Sequence, residues 1–361
     1  MRLSSAEVIP YALPFKQPYV TARGTLQRRE MVLLRVRDED GVVGLGEAVP
    51  LALRGGAGLE QVARELEGWA ESRETGKELE AKAMSAPARC AVATALMDLR
   101  GRRAAGSAPA AGSTEAVPCN ATLVAGEPKA VAAQAERWAQ DGFTTFKLKL
   151  GAETAKKHPQ DAFLRSRDVE QVRAVREALG AAVRIRVDAN EAWDLETAER
   201  TLAELEPLGI ELAEQPVAGL EEMAALAAST SIPLAADESV ATVGEAERAA
   251  ALGACEFTGI KLSKVGGPEE ALAIADVLPA YITSALDGPV GIAAGAQVAL
   301  SLAGTGHPER LELAHGLATQ RLFASTIASV ECELRDGMLH LSPGPGLGVE
   351  IDEEALQAHR I

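Results

Sequence analysis

The sequence predicts an α/β protein in which a closed parallel barrel follows a smaller α+β unit, and two observations carry that prediction. From about residue 118 onward, short β-rich runs alternate with amphipathic helices, the pattern of a parallel sheet crossed by helices. Five charged residues each close one of the apolar runs: Lys149 in FKLKL, Asp188 in IRVDAN, Glu214 in LAEQP, Asp237 in LAADES and Lys261 in GIKLSK. From Asp188 to Glu214 is 26 positions, then 23 to Asp237 and 24 to Lys261. Each step is about what one βα unit consumes in a barrel of roughly 250 residues and eight units. Charges at successive strand ends converge on one mouth.

The elements follow in order. EMVLLRVRDEDGVVGLGEAV alternates like strands, and Asp40-Gly41 between two β-rich runs suggests a hairpin. Gln61 to Trp69 and Cys90 to Leu99 carry apolar residues at three- and four-residue intervals, so helices follow. The Gly/Ala/Ser/Pro stretch from Gly101 to Pro118 marks a boundary. Beyond it, strands are expected near 118–124, 144–150, 183–189, 210–215, 232–237, 256–262, 281–286 and 310–314, with helices over Pro128–Gln140, Asp168–Leu179 and Leu195–Leu205 among the connections. Eight units favour a closed barrel over an open doubly wound sheet, which also lacks its GxGxxG turn. The end of the chain, VECELRDGMLHLSPGPGLGVEI, returns to strands and turns and is expected to pack on the N-terminal part.

Composition narrows the function. The 361 residues carry 52 acidic and 36 basic side chains, a formal charge of −16, which argues against a nucleic-acid or anionic-membrane surface. A small anionic substrate then needs a local positive centre. MRLSSAEVIPYALPF lacks the unbroken apolar stretch of a signal peptide, and no run approaches a membrane span, so a cytoplasmic protein is expected. Cys90, Cys119, Cys255 and Cys332 are far apart, with no CxxC and no His at ligand spacing, and read as buried reduced thiols.

Asp188, Glu214 and Asp237 occupy three consecutive strand ends. Carboxylate oxygens with no Cys or His among them suit Mg²⁺, with Mn²⁺ as a substitute, better than zinc. The plainer reading of each acid alone is a salt bridge or cap. Asn190, two residues past Asp188, is placed to orient that ligand or a metal-bound water. Lys147 and Lys149 project to one face of their strand by its two-residue period. On an edge strand they would be solvated; inside a barrel they need anionic partners, and two close ammonium groups depress one pKa toward the range of a general base. Lys149, nearer the strand end, is the better base. Lys261 favours the interior placement, because the second and sixth strand ends lie on opposite sides of an eight-stranded barrel. Two lysines flanking a metal-held substrate fit removal of a proton next to a carboxylate, with the enediolate neutralised as it forms. Lys264, ahead of Gly266 and Gly267, reads as a loop residue near the mouth.

In this order the residues resemble the enolase superfamily, specifically its muconate lactonizing enzyme subgroup, whose members carry a KxK pair (here Lys147 and Lys149), Asp, Glu and Asp metal ligands (Asp188, Glu214, Asp237) and a second lysine (Lys261). The likeness extends over nearly the whole chain, including TARGTLQRREMVLLRV, GLGEAVP and the ARCAVATALMDLRGR helix. It implies a modified TIM barrel, (β/α)7β, at 117–325, under an α+β capping domain formed by residues 1–116 and the C-terminal segment 326–361. It also implies catalysis by Lys149, Lys261 and Lys147, an essential Mg²⁺, a small-molecule carboxylate substrate and a homo-oligomer. The seventh strand, YITSALDGPVG, lacks the histidine of mandelate-racemase-like members, and LELAHGLATQRLF lacks the DxD clamp of dipeptide epimerases.

Gly316–Thr319 and the TSALDGPVGIAAG segment at 283–295 are most similar to o-succinylbenzoate synthases. These dehydrate 2-succinyl-6-hydroxy-2,4-cyclohexadiene-1-carboxylate via an enediolate in menaquinone biosynthesis. By that likeness Lys149 removes the proton and then assists loss of the hydroxyl, a syn elimination, while Lys261 stabilises the enediolate. Ser284 and Asp287 fit substrate contacts there, and Ser284 fits a strand-end cap equally. Asp287 keeps muconate cycloisomerase activity open, and the lysine pair keeps N-succinylamino acid racemisation open; dipeptide epimerisation is a further alternative. A catalytically silent barrel binding a small acid or metal is the non-enzyme reading, against which stands the presence of all five charged groups. Arg23 and Arg28, near the expected capping loops, either pair with a substrate carboxylate or are solvated charges.

Overall fold

The computed structural model describes residues 2–21, 24–52, 55–75, 83–105, 115–151, 162–303 and 313–361. β1 (Leu3–Thr21), β2 (Gly24–Asp38) and β3 (Val43–Ala48) form an antiparallel sheet in that order, turned at Asp40-Gly41 as the sequence predicts. Both faces of this sheet are covered, which is why MVLLRV reads as a nearly continuous apolar run. Val32, Leu34 and Val36 pack against α1 (Leu59–Thr75) and α2 (Ala86–Ala105), whereas Met31, Leu33 and Leu45 join the core shared with the barrel. α2 lies directly on β3. A Cβ at Gly44 would stand 2.3 Å from the Ala95 carbonyl oxygen, and one at Gly46 1.9 Å from that of Ala91, so only glycine admits the helix at this distance.

The Gly/Ala/Ser/Pro stretch from Gly101 to Pro118 opens inside α2, which continues to Ala105. Tertiary contacts override the Gly-rich composition: Arg102 donates to Asp98 at 2.9 Å and to the Val349 carbonyl at 2.8 Å, and Gly101 packs so closely on Gly346 that a Cβ would lie 2.7 Å from its Cα.

β4 (Ala116–Pro118) precedes the barrel. The barrel strands are β5 (Ala121–Leu123), β6 (Thr145–Lys149), β7 (Arg184–Asp188), β8 (Ile210–Glu214), β9 (Leu234–Ala236), β10 (Phe257–Lys261) and β11 (Ala280–Thr283), all parallel and neighbours in sequence order. Between them run α3 (Pro128–Gln140), α4 (Ala162–Leu179), α5 (Leu195–Leu205), α6 (Leu220–Ala227), α7 (Val243–Leu252), α8 (Leu262–Val265) and α9 (Pro268–Ala275), with α10 (Pro289–Ala303) after β11. α5 shows why these helices form. Asp194 caps its first turn by accepting the Thr197 amide at 2.8 Å, and Ala198, Thr201, Leu202 and Leu205 make the buried stripe. The ring closes where His315 bridges to Cys119 and Gly316 to Thr283, both in parallel, so the eighth strand position lies at 315–316. Residues 310–312 of the expected eighth strand lie outside the described residues.

The tail adds β12 (Ala328–Val330), β13 (Glu333–Arg335), β14 (Met338–His340), β15 (Glu350–Ile351) and α11 (Glu353–His359). β14 pairs with β4, while Leu347 donates to Asp98, Glu353 meets Arg35 at 2.6 Å, and Arg360 bridges to Tyr11. These contacts tie the end of the chain to the N-terminal sheet and α2. Among the described residues no helix is long and apolar enough to cross a membrane.

Register decides what faces the barrel interior. Lys149 pairs with Asp188, Asp188 with Glu214, and Lys261 with Thr283, so these residues share a level at the strand ends. Two positions earlier on each strand lies a second level: Lys147 beside Arg186, Arg186 beside Leu212, and Gly259 beside Tyr281. Leu212, Ala235, Tyr281 and Leu313, with Phe257 against them, form a separate apolar cluster.

Candidate active site

Lys147, Asp188, Glu214, Asp237 and Lys261 are all buried, with the three carboxylates between 0% and 1% exposed. Charges so buried require partners, and they supply each other's. The Lys147 ammonium bridges Asp188 Oδ2 at 2.7 Å and Glu214 Oε1 at 2.6 Å. Lys149 donates to Asp188 Oδ2 at 2.5 Å and to Asn190 Oδ1 at 2.9 Å. Across the ring, Lys261 bonds Asp237 Oδ2, and Lys264 holds the Asp237 carbonyl and, at 2.9 Å, its Oδ1. The lysine pair of β6 and the lysine of β10 therefore face the acids from opposite sides.

Of the lysine pair, in which Lys149 reads as the better base, Lys147 is not the one depressed. Burial acts to lower its pKa, but Asp188 and Glu214 outweigh this and hold the ammonium well above its usual range. Burial likewise opposes ionisation of Asp188, and Lys147 and Lys149 overcome it, keeping that carboxyl well below the usual carboxylate range.

The loops beyond the strand ends are held in strained backbone. Asn190 and Gln215 adopt φ values of 47° and 37°, in the left-handed region that non-glycine residues seldom enter. At Asn190 the amide donates to Asp188 Oδ1 at 3.1 Å and the side chain donates to Glu238 at 3.0 Å, so this residue orients Asp188 while contacting Lys149. Gln215 accepts the amides of Asp237 and Ser239 at 2.8 and 3.1 Å, linking the β8 end to the β9 end.

Three buried, all-oxygen donors on consecutive strand ends have the chemistry a hard divalent ion needs. Lys147 already bridges two of them as a cation would. As they stand the carboxylates are paired with the lysines, and no three acidic, His or Cys side chains among the described residues converge on one point.

Residues 130–355 match the family model for enolase C-terminal domain-like proteins, and residues 5–108 match the mandelate racemase / muconate lactonizing enzyme N-terminal domain. The chain belongs to the enolase superfamily. This superfamily enzyme is 37% identical to an o-succinylbenzoate synthase of Thermobifida fusca (strain YX) over 215 residues, covering 59% of the chain and 62% of the relative. Its structure matches that of a muconate lactonizing enzyme from Pseudomonas fluorescens complexed with muconolactone at a TM-score of 0.83, with 28% identity, over 100% of this chain and 99% of that one. A dipeptide epimerase from Enterococcus faecalis V583, complexed with Mg and L-Leu-L-Tyr, matches at a TM-score of 0.82 and 25% identity, over 97% and 100%.

Several residues of the enzyme sit where sequence reasoning did not place them. Lys264 is not a mouth-loop charge but a second cation on Asp237, brought there by the short helix α8. Tyr281, hidden in an apolar run, donates to Glu214 Oε2 at 2.5 Å. Its position two residues before Thr283, on the inward face, was the available signal. Ser284 donates to Asp287 Oδ2 at 2.6 Å and accepts from Thr319 at 2.8 Å, while the Ala285 amide donates to Asp287 Oδ2 at 2.6 Å. Both side chains are thus committed to the loop after β11, the arrangement of a strand-end cap. Arg28 pairs with Glu30 at 2.7 Å on the exposed surface, and Arg23 lies outside the described residues. The four cysteines are free and buried, as expected, and burial pushes the Cys90 and Cys119 thiols up to about 12.

Proposed function

We propose that this enzyme is an o-succinylbenzoate synthase, in which Asp188, Glu214 and Asp237 hold Mg²⁺, or Mn²⁺ in its place, Lys149 is the base and Lys261 stabilises the enediolate. The observation that carries the proton chemistry is the pair of lysines meeting the acid ring from opposite sides, Lys149 on Asp188 and Lys261 on Asp237. The choice of substrate is supported by the 37% identity to the Thermobifida fusca synthase. When bound, the divalent ion supplies the positive charge that makes a proton beside a carboxylate removable.

The chain's own residues account for the rest. Lys147, Lys149, Lys261 and Lys264 are matched in number by Asp188, Glu214, Asp237 and Glu238, so the site is close to neutral before it is loaded. A loaded site is then positive within an acidic protein, which suits an anionic substrate. Lys149, as its neutral amine, takes the proton next to the substrate carboxylate and becomes the ammonium, and the electron pair is held as an enediolate facing the Lys261 ammonium. The same Lys149 returns that proton to the departing hydroxyl, so water leaves and the ring becomes aromatic. Asn190 holds the Lys149 ammonium and the Asp188 carboxylate in one geometry. Ser284 and Asp287 shape the loop after β11, which weighs against a proton-donating Asp287 and hence against muconate cycloisomerisation.

The test is Mg²⁺-dependent conversion of 2-succinyl-6-hydroxy-2,4-cyclohexadiene-1-carboxylate, followed in the ultraviolet as the ring aromatises. Turnover lost in Lys149→Ala and Lys261→Ala supports the assignment. An inert wild-type protein that exchanges the α-proton of N-succinylamino acids in D₂O would replace it with the racemase reading.

A further inference from the structure

Glu214 is gripped from two directions. Its Oε1 takes Lys147 at 2.6 Å, while its Oε2 accepts the Tyr281 hydroxyl at 2.5 Å. Tyr281 belongs to β11 and Glu214 to β8, with β9 and β10 between them, so the phenol must reach across the inside of the barrel. The intervening strands leave room for it. β9 supplies the small Ala235, in one apolar cluster with Tyr281, and β10 supplies Gly259, where a Cβ would press to 3.3 Å from the Tyr281 hydroxyl oxygen and 3.4 Å from the adjoining ring carbon.

The ring itself is fixed. Tyr281 is 0% exposed, and the guanidinium of Arg186, equally buried, lies over it at 5.0 Å from the ring centre. Arg186 is held in turn by Glu211 at 2.5 Å and by the Ala314 carbonyl at 2.7 Å. The hydroxyl so placed donates to Glu214 Oε2.

We propose that Tyr281 is a positioning residue that aims the Glu214 carboxylate into the divalent-ion site, with Arg186 holding its ring and Gly259 leaving the space. The inference rests on the reading that Glu214 is a ligand. With Oε2 tied to the phenol, Oε1, which meets Lys147, is the oxygen that would be left for the ion. Partners behind a ligand of this kind commonly govern metal affinity by about 10–100-fold.

The experiment is calorimetric titration of Mg²⁺ into the metal-free protein for wild type, Tyr281→Phe, Glu214→Gln and the double variant, with the melting temperature of each metal-free protein measured alongside. Phenylalanine keeps the ring under Arg186 and removes one oxygen. The expected result is a Kd for Mg²⁺ raised by about 10-fold or more in Tyr281→Phe, with an almost unchanged metal-free melting temperature and no further loss when the substitution is added to Glu214→Gln. Gly259→Ala, which pushes the phenol from its place, should weaken the ion in the same direction. Wild-type affinity in Tyr281→Phe, set against weakened affinity in Glu214→Gln, would overturn the proposal alone. Full affinity in Glu214→Gln would overturn the ligand reading and the proposal together. A metal-free melting temperature that falls in step with affinity would make Tyr281 a packing residue and overturn its positioning role.

Discussion

Replacing Glu47 with glutamine should remove a stability loss that the wild-type protein suffers as the pH rises. Glu47 projects from β3 into the junction with the barrel, where it is 1% exposed, accepts the Tyr11 hydroxyl at 2.8 Å and accepts the Gly288 amide ahead of α10 at 2.7 Å. Burial first, and then the nearby Asp287, push its carboxyl from 4.5 up to about 7. Because the folded pKa is the higher one, the folded protein keeps a proton that the unfolded chain has already released. Stability is therefore fully present below about 4.5 and declines until the pH passes about 7. Integrated from pH 5 to pH 8, the decline is about 2.5 kcal/mol.

His315 acts with the opposite sign. Burial, and then Arg186, lower its pKa from 6.5 to about 3, so it stays neutral when folded and costs stability as the pH falls through that window. Between about 4.5 and 6.5 the two groups offset each other in the wild type. Glutamine removes only the Glu47 contribution, and its amide still accepts from Gly288 and donates toward Tyr11. Urea unfolding at pH 5 and pH 8 should show the variant gaining about 2.5 kcal/mol on the wild type between the two conditions. A difference between the proteins that does not change with pH would refute the reasoning.

Three further outcomes are expected. Lys149→Ala should reduce turnover by about 10²–10⁴-fold in the aromatisation assay, while calorimetry still detects Mg²⁺ binding. Gly46→Ala, whose methyl would meet the Ala91 carbonyl at 1.9 Å, should displace α2 from β3 and cost about 2–3 kcal/mol by urea unfolding. Asp194→Ala removes the side chain that caps α5 and should cost about 1 kcal/mol by the same measurement, with no change in Mg²⁺ affinity.

Much of the barrel was legible because its signals are local. A strand's two-residue period places Lys147 and Lys149 on one face, and a βα unit's length sets the intervals from Asp188 to Glu214 to Asp237 to Lys261; neither needs knowledge of the rest of the chain. The same locality explains the Asp40-Gly41 turn and the bounds of α3 and α5, which fall where their periodicity predicts. The first residues of the Gly/Ala/Ser/Pro stretch are helical, because contacts of Gly101 and Arg102 with Gly346 and Val349, far along the chain, keep α2 going.

What the sequence determined by itself is the kind of chemistry: acids and lysines at successive strand ends, converging because parallel strands end on one side. What only the tertiary structure decided is which groups hold one another. Tyr281 and Glu214 are 67 positions apart, and Gly288 and Glu47 are 241 apart, so no local period connects either pair. The physical reason is closure. Bending the sheet into a ring brings β11 within reach of β8 across the interior and sets the N-terminal sheet against α10, and only then does a tyrosine in an apolar run acquire a carboxylate to orient, or a buried glutamate a helix to meet.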